Sequence, residues 1–376
     1  MKKIVAVAAL ASLLAGATFA ADLSFDYTGK GIFGNTTKAV NAVDRNDCFA
    51  LELKSDVAGV HIDWDIANNT LGLDEFYGWM TFGLPVGNLQ VTSGKWNGRY
   101  ADRVTTDKGD LGSDYFETFK LGNIITGTAS NDADNLTEKK MSTVLAYTLA
   151  DSLPGTLMTK FGLVSTADND AKAKSTTYFN GTVSDPDVNI FCGFVGQAAY
   201  KQEGLVNLDL SIKHLKADVT TLGFYISPLM SEALQATAGF TYGYNTSSTT
   251  EIAFDLRARY AVTEKVALTG FFNYSQVKVE NVDDPTKSMW TSLSLNYVAG
   301  ENIRFLATLG NTITDFDKSY GACKTHFTPS CEIKASEKVT VTTAVDLTWD
   351  NSGATGVKPF AGTGTITIPV YVHVAL

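Results

Sequence analysis

Charged residues recur at every second position in several short apolar segments of this chain. Asp63 and Asp65 alternate with Ile62, Trp64 and Ile66. Asp255, Arg257 and Arg259 alternate with Phe254, Leu256, Ala258 and Tyr260, and Arg304 stands just inside another such segment. A period of two places the charges on one face of a β-strand and the apolar residues on the other. Charge on one face would be expensive inside a sandwich core. It is inexpensive where that face lines water and the apolar face meets lipid. The chemistry on offer is the handling of ions and dipoles along a wetted wall. The residues of bond-making chemistry are scattered by comparison. His61, His214, His326 and His373 show no His-x-x-x-His spacing for a metal. The acidic clusters at Asp132–Asp134, Asp168–Asp170 and Asp283–Asp284 lack the loop spacing and closing Glu of a dedicated calcium site. No catalytic residue, metal ligand or cofactor is assigned.

The elements that must carry such a wall are strands. The last twelve residues, Thr365 to Leu376, place an aliphatic residue at nearly every even position. The same alternation runs through Leu23–Thr28, Phe49–Lys54, Val60–Ile66, Leu234–Gly243, Ile252–Tyr260 and Val339–Trp349. Short turns with a shared character separate many of them: Ser231-Glu232-Ala233-Leu234, Thr263-Glu264-Lys265-Val266, Gly300-Glu301-Asn302-Ile303 and Ser336-Glu337-Lys338-Val339. We read these as periplasmic turns and the longer polar connections as extracellular loops. Upward strands then fall near 22–33, 58–67, 86–96, 155–165, 205–214, 233–245, 265–279, 301–314 and 337–349. Downward strands fall near 46–55, 73–84, 140–150, 187–201, 217–228, 250–261, 287–298, 324–334 and 363–376. This gives eighteen strands with both ends on one side; sixteen is the main alternative, because 324–334 contains Pro329. Tyr147, Tyr200, Tyr260 and Tyr297 close downward strands, and Trp64, Tyr244, Tyr274 and Trp349 close upward ones. Two aromatic girdles are expected of a barrel at two membrane interfaces.

The N-terminus has the outline of a secretory signal peptide over residues 1–20. Lys2 and Lys3 precede an apolar stretch from Ile4 to Leu14, and small residues lead to cleavage after Ala20. The barrel then occupies 21–376. With 30 basic and 40 acidic residues, and both signal lysines removed, the mature net charge is 28 − 40 = −12. No basic patch suggests nucleic acid, and no later segment approaches the ~18 consecutive apolar residues of a membrane helix. The expected fold is an all-β transmembrane antiparallel barrel of 16–18 strands with up-and-down topology. A secreted β-sandwich or β-helix is the competing fold.

The longest connection, Asn97 to Lys139, follows the fifth strand and is the third extracellular loop. This layout of signal, even strand set, long third loop and terminal strand resembles that of general bacterial outer-membrane porins. In length, signal and turn style the chain also loosely resembles spirochaetal outer-sheath porins. The chain departs from the porin pattern in ending on Leu376 rather than an aromatic, and Pro369 is expected to make the last ladder irregular. The resemblance implies a channel for passive diffusion of small hydrophilic solutes, embedded in outer-membrane lipid. It implies a third loop folded inward, with Arg99, Asp102, Arg103, Asp110, Asp114 and Glu117 at a constriction. Asp63, Asp65, Asp255, Arg257, Arg259 and Arg304 are the pore-lining candidates. Charges facing each other across a constriction create a transverse field that favours polar solutes. A barrel hydrolase with a Ser–His pair on neighbouring strands, and a surface adhesin on a structural barrel, stay open as alternatives. So does the association of copies into a homo-oligomer. Cys323 and Cys331 are expected to be unbridged, because eight residues of strand at ~3.3 Å hold them ~26 Å apart, beyond the ~7 Å limit between Cα atoms.

Overall fold

The computed structural model describes residues 20–35, 43–67, 70–96, 140–149, 154–164, 193–216, 219–228, 231, 233–245, 249–318, 321–351 and 359–375. Residues 1–19 of the expected signal lie outside them. In chain order the strands are β1 (Ala20–Asn35), β2 (Val43–Lys54), β3 (Ala58–Ala67), β4 (Thr70–Leu84), β5 (Gly87–Trp96) and β6 (Lys140–Leu149). They continue as β7 (Thr156–Val164), β8 (Gly193–Gln202), β9 (Val206–Lys216), β10 (Val219–Pro228), β11 (Leu234–Asn245) and β12 (Thr249–Thr263). The rest are β13 (Val266–Val279), β14 (Thr286–Gly300), β15 (Ile303–Thr314), β16 (Ala322–Ser336), β17 (Val339–Ala344), β18 (Asp346–Asp350) and β19 (Thr363–Ala375).

Apart from β17 and β18, each strand pairs antiparallel with its neighbours in sequence, and β19 returns to pair with β1. The sheet is therefore a closed up-and-down barrel. β17 and β18 lie end to end between the same partners, β16 and β19. Counting them as one gives 19 − 1 = 18 strand positions around the wall, the larger of the two expected counts. Closure leaves no unpaired strand edge, which a sheet in lipid requires.

The turn signature has a physical reason. In three of the four signature turns, and in the Ser55 turn besides, a hydroxyl at the strand end accepts a backbone N–H two or three residues on. Ser55 Oγ accepts from Ala58 N at 3.2 Å and Ser231 Oγ from Leu234 N at 2.9 Å. Thr263 Oγ1 accepts from Val266 N at 3.0 Å and Ser336 Oγ from Lys338 N at 3.2 Å. Ser and Thr do locally what the next backbone group would otherwise have to do.

The two faces of the wall differ in the sense opposite to that of a water-soluble protein. On the outer face, Phe161 and Leu210 are each 56 % exposed, and Leu222, Phe240, Phe254, Leu256, Leu293 and Phe305 are exposed with them. On the inner face Gln197 is 5 % and Asp209 6 % exposed, and Ser211, Lys213, Thr237, Thr241, Thr269 and Ser294 are buried alongside. Leaving one large apolar side chain in water forgoes roughly 1.5–3 kcal/mol. Dozens of them would exceed the ~5–15 kcal/mol by which a domain is stable. The outer face therefore requires an apolar solvent. The expected girdle residues sit on this face near strand ends, among them Tyr244, Tyr260 and Tyr297, all exposed.

Irregularities occur where the residue types demand them. Asp63 pairs with Glu75 but Trp64 with Leu73, so Asp74 is an extra residue in β4 and forms a bulge. Pro329 and Pro369 both lie in ladders, paired with Ala307 and Ile32. The break between β17 and β18 falls at Val345, whose N–H reaches Pro329 O at 3.0 Å; Pro329 has no N–H to return. The β1–β19 register also slips just beyond Ile32, beside Pro369. Cys323 and Cys331 are free thiols on one face of β16.

Candidate functional site

The inner wall is the surface that could do chemistry, and alternation alone decides which residues reach it. Lys54 and Glu52 share one face of β2 and pair at 2.8 Å. Arg304 on β15 stands in register with Glu332 on β16, and their side chains pair at 2.6 Å. Gln197 Nε2 donates to the Asp209 carboxylate across β8 and β9. Lys160, the register partner of Gln197, lies in the field of Asp209. Hydroxyl pairs complete the lining, such as Ser227–Thr237 at 2.7 Å and Ser294–Thr308 at 2.9 Å. Hydrogen bonds to ionised partners are short and strong, and they hold these long side chains against the wall.

A second kind of lining covers β3 to β8. His61 and Tyr77 are register partners and stack with ring centroids 5.0 Å apart. Tyr77 lies 6.0 Å from Trp79 on its own strand and 5.5 Å from Trp96 on β5. Trp96 Nε1 donates to Ser142 Oγ at 2.8 Å, and its ring packs on Val144, Val164 and Val195 of β6, β7 and β8. The Trp79 indole lies flat over Gly59, its register partner. A Cβ at that glycine would fall 2.2 Å from Cη2 and Cζ2 of the ring. Further round, Phe271 and Trp290 meet edge to face at 4.6 Å and are buried.

The sequence-derived residues divide into three groups. Asp63, Arg259 and Arg304 are part-buried on strands of the wall, and Arg304 pairs with Glu332. The positions of Asp65, Asp255 and Arg257 are set by register: opposite Cys48 and Gly72, opposite Gly239 and Asn273, and opposite Thr237 and Phe271 respectively. The loop residues Arg99, Asp102, Arg103, Asp110, Asp114 and Glu117 lie outside the described residues. The sequence reasoning missed Glu332, Gln197–Asp209 and the ring file.

Two histidines have polar partners among the described residues. His326 Nδ1 meets Thr348 Oγ1 at 2.9 Å and Asp346 Oδ1 at 3.7 Å, and Asp346 also accepts from Thr328 Oγ1 at 3.0 Å. A nucleophile–base–acid relay needs its hydroxyl and its carboxylate on opposite ring nitrogens. The contacts of His326 with described residues fall on one nitrogen. His214 Nδ1 meets the Thr220 hydroxyl at 3.0 Å, and its ring stacks on Phe194. Outside the barrel wall, the carboxyl of Asp317, in the connection after β15, is held below the usual carboxylate range by a hydrogen bond from Lys287.

No family model matches this sequence, and no curated protein matches it. Solved structures do. The anion-selective porin from Comamonas acidovorans superposes with a TM-score of 0.54 at 13% identity, over 96% of this chain and 100% of that one. The fold is that of the outer-membrane porins. OmpT, an outer-membrane protein of Vibrio cholerae solved in a trimer form, matches with a TM-score of 0.54 at 11% identity, over 96% of this chain and 100% of that one. OccK11 (OpdR) of Pseudomonas aeruginosa matches with a TM-score of 0.54 at 7% identity, over 95% and 96%. At such identities the shared property is the porin fold itself; side-chain chemistry has to be read from this chain alone.

Proposed function

We propose that this chain is an outer-membrane channel for the passive diffusion of small hydrophilic solutes. The observation that carries the proposal is the inverted wall. Exposed apolar residues such as Phe161 and Leu210 face outward, and polar ones such as Gln197 and Asp209 face inward, around eighteen strand positions. Barrels of about eight strands are filled by their own side chains, whereas 16–18 leave an aqueous channel. The porin fold over 96% of the chain supports the same reading. In it, residues 1–20 are the secretion signal, and Asp63, Asp65, Asp255, Arg257, Arg259 and Arg304 line the pore. The 97–139 loop supplies the constriction. Its acidic residues Asp102, Asp107, Asp110, Asp114 and Glu117 outnumber Arg99, Arg103 and Lys108, so a weak preference for cations follows, strongest at low salt.

The test is a planar-bilayer recording on purified, refolded protein. Stepwise, ohmic conductance increments are expected, with a reversal potential in a potassium chloride gradient that shifts toward anions in Asp110→Asn/Asp114→Asn. A heat-modifiable barrel that inserts but passes no current would overturn the channel reading. Anion preference in the wild type would remove the loop from selectivity.

A further inference from the structure

We propose that three connections between β13 and β19, at the rim opposite the short Ser/Thr turns, each dip one apolar side chain into the adjoining lipid. The side chains are Val282, Phe316 and Phe360, and this sector of the rim is thereby a membrane-docking surface. The inference needs the lipid-facing wall and not the conductance. Among the described residues, positive φ at a residue other than glycine occurs at Asn281 (62°), Asp315 (48°) and Phe360 (57°). One falls in each of the connections 280–285, 315–321 and 351–362. Left-handed backbone is uncommon outside glycine and costly for a bulky residue, and it persists where the surroundings over-determine it. Here each instance sits at, or one residue before, an apolar side chain left outside the fold. Val282 is 49 % exposed, Phe316 38 % and Phe360 53 %.

The ring contacts fix the direction for two of the three. Phe316 meets Tyr274 edge to face at 6.3 Å, and Phe360 meets Trp349 in the same way at 5.3 Å. Tyr274 is the register partner of Phe254, and Trp349 stands two residues from Leu347, the partner of Phe327 and Ile366. Phe254, Phe327 and Ile366 are exposed positions of the lipid-facing wall. Both connections therefore lean outward over that wall. They are also stapled in place. Asp315 N donates to Lys287 O at 2.6 Å, Lys318 N donates to Asp315 O at 2.9 Å, and Lys287 pairs with Asp317. Phe360 N reaches Thr325 Oγ1 at 3.4 Å, and Asn351 Oδ1 accepts from Cys323 N. A Cβ at Gly362, where φ is +89°, would fall 2.1 Å from Asp350 O, so the turn beside Phe360 is held to one shape.

The occupant is lipid rather than protein. A specific protein interface buries roughly 1,200–2,000 Å², and three side chains spaced along a rim offer a small part of that. Lipid sets no such minimum, because each apolar side chain leaves water on its own account. The row also continues an apolar wall whose ring-bearing ends belong where acyl chains meet water.

The experiment is spin labelling of the full mature chain in phosphatidylcholine vesicles. The four native cysteines are replaced by serine, and one cysteine is introduced at a time as Val282→Cys, Phe316→Cys, Phe360→Cys or, for an aqueous reference in the same rim, Asp284→Cys. Oxygen concentrates in lipid and a nickel chelate stays in water. The oxygen-to-nickel accessibility ratio is expected to be several-fold higher at 282, 316 and 360 than at 284. A ratio equal to that of the reference at any of the three would overturn the proposal. Labels shielded from both reagents would overturn it as well and assign the rim to a protein contact. Lipid quenching gives a second measurement with the cysteines untouched. Phe316→Trp and Phe360→Trp each add one indole to the chain, and lipid brominated near the headgroup should quench the added emission more than lipid brominated near the bilayer centre. Added emission that neither lipid quenches would overturn the proposal. Retained heat modifiability on gels identifies the variants that still fold.

Discussion

The inner wall differs from one side to the other. Strands β3 to β8 present rings and valines beside a few polar groups such as Lys160 and Gln197, with Trp79, Tyr77, Trp96 and Val195 in one apolar arc. Strands β12 to β18 present mainly charges and hydroxyls, with Arg304–Glu332, Ser294–Thr308 and His326–Asp346 around the buried ring pair Phe271–Trp290. The outer face shows no such division. Phe161 on β7 and Phe305 on β15 are exposed alike. Lipid is the same in every direction, so one solution serves all strands. Water and solute make no such demand, and the inner face is free to specialise by sector.

Three experiments probe this contrast. The largest effect should come from putting one charge on each face of the same strand. Leu210→Arg, on the outer face of β9, is expected to cost about 2–4 kcal/mol if it lies near the bilayer midplane. Its neighbour Ser211→Arg, facing inward, should cost well under half as much and alter conductance instead. Reversible unfolding in urea-containing liposome buffer measures both, and equal penalties would show that the outer face is not the lipid face. The second effect is in the charged sector. Arg304→Ala leaves Glu332 alone on a part-buried wall, and a loss of roughly 1–3 kcal/mol is expected, below that of a fully buried pair. Adding Glu332→Gln should recover much of it in the same denaturation assay. A double variant no more stable than the single one would place the interaction elsewhere. The smallest effect lies at the rim. Asp317 is held below the usual carboxylate range by Lys287, so its contribution is present above the unfolded carboxylate pKa and is lost as pH falls through the lower folded value. Carboxyl-labelled NMR should show Asp317 titrating below the usual carboxylate range. Lys287→Ala should bring it back into that range, and an unchanged midpoint would discard the contact.

Much of the fold was legible in the sequence because its period is two and several of its short turns carry Ser or Thr at the strand end. The terminal strand, the 234–245 strand and the strand holding Pro329 all stand within a few residues of where alternation put them. The ring file was not legible. β4 carries Phe76, Met80 and Phe82 on one face and Tyr77 and Trp79 on the other, so no hydropathy contrast marks its inner side. The extra residue at Asp74 reverses the parity besides. Trp96 joins Tyr77, and Glu332 joins Arg304, only through cross-strand register, which pattern within one strand does not contain. The side chains at Asp65, Asp255 and Arg257 and the loop charges from Arg99 to Glu117 still rest on the sequence reading alone.

The two prolines beside Val345 have a consequence for how the wall breathes. The flanking registers set Val345 opposite Pro329 on one side and Ala344 opposite Pro369 on the other. Two consecutive carbonyls therefore face imino nitrogens that carry no hydrogen. Lipid supplies no substitute donor. The deficit lies one strand from the β1–β19 junction, where the ends of the chain meet. Local opening begins where the fewest bonds must be broken. Amide exchange in this barrel should accordingly spread from Val345 and its neighbours toward the junction, leaving the continuous ladders of β12 to β15 the last to exchange.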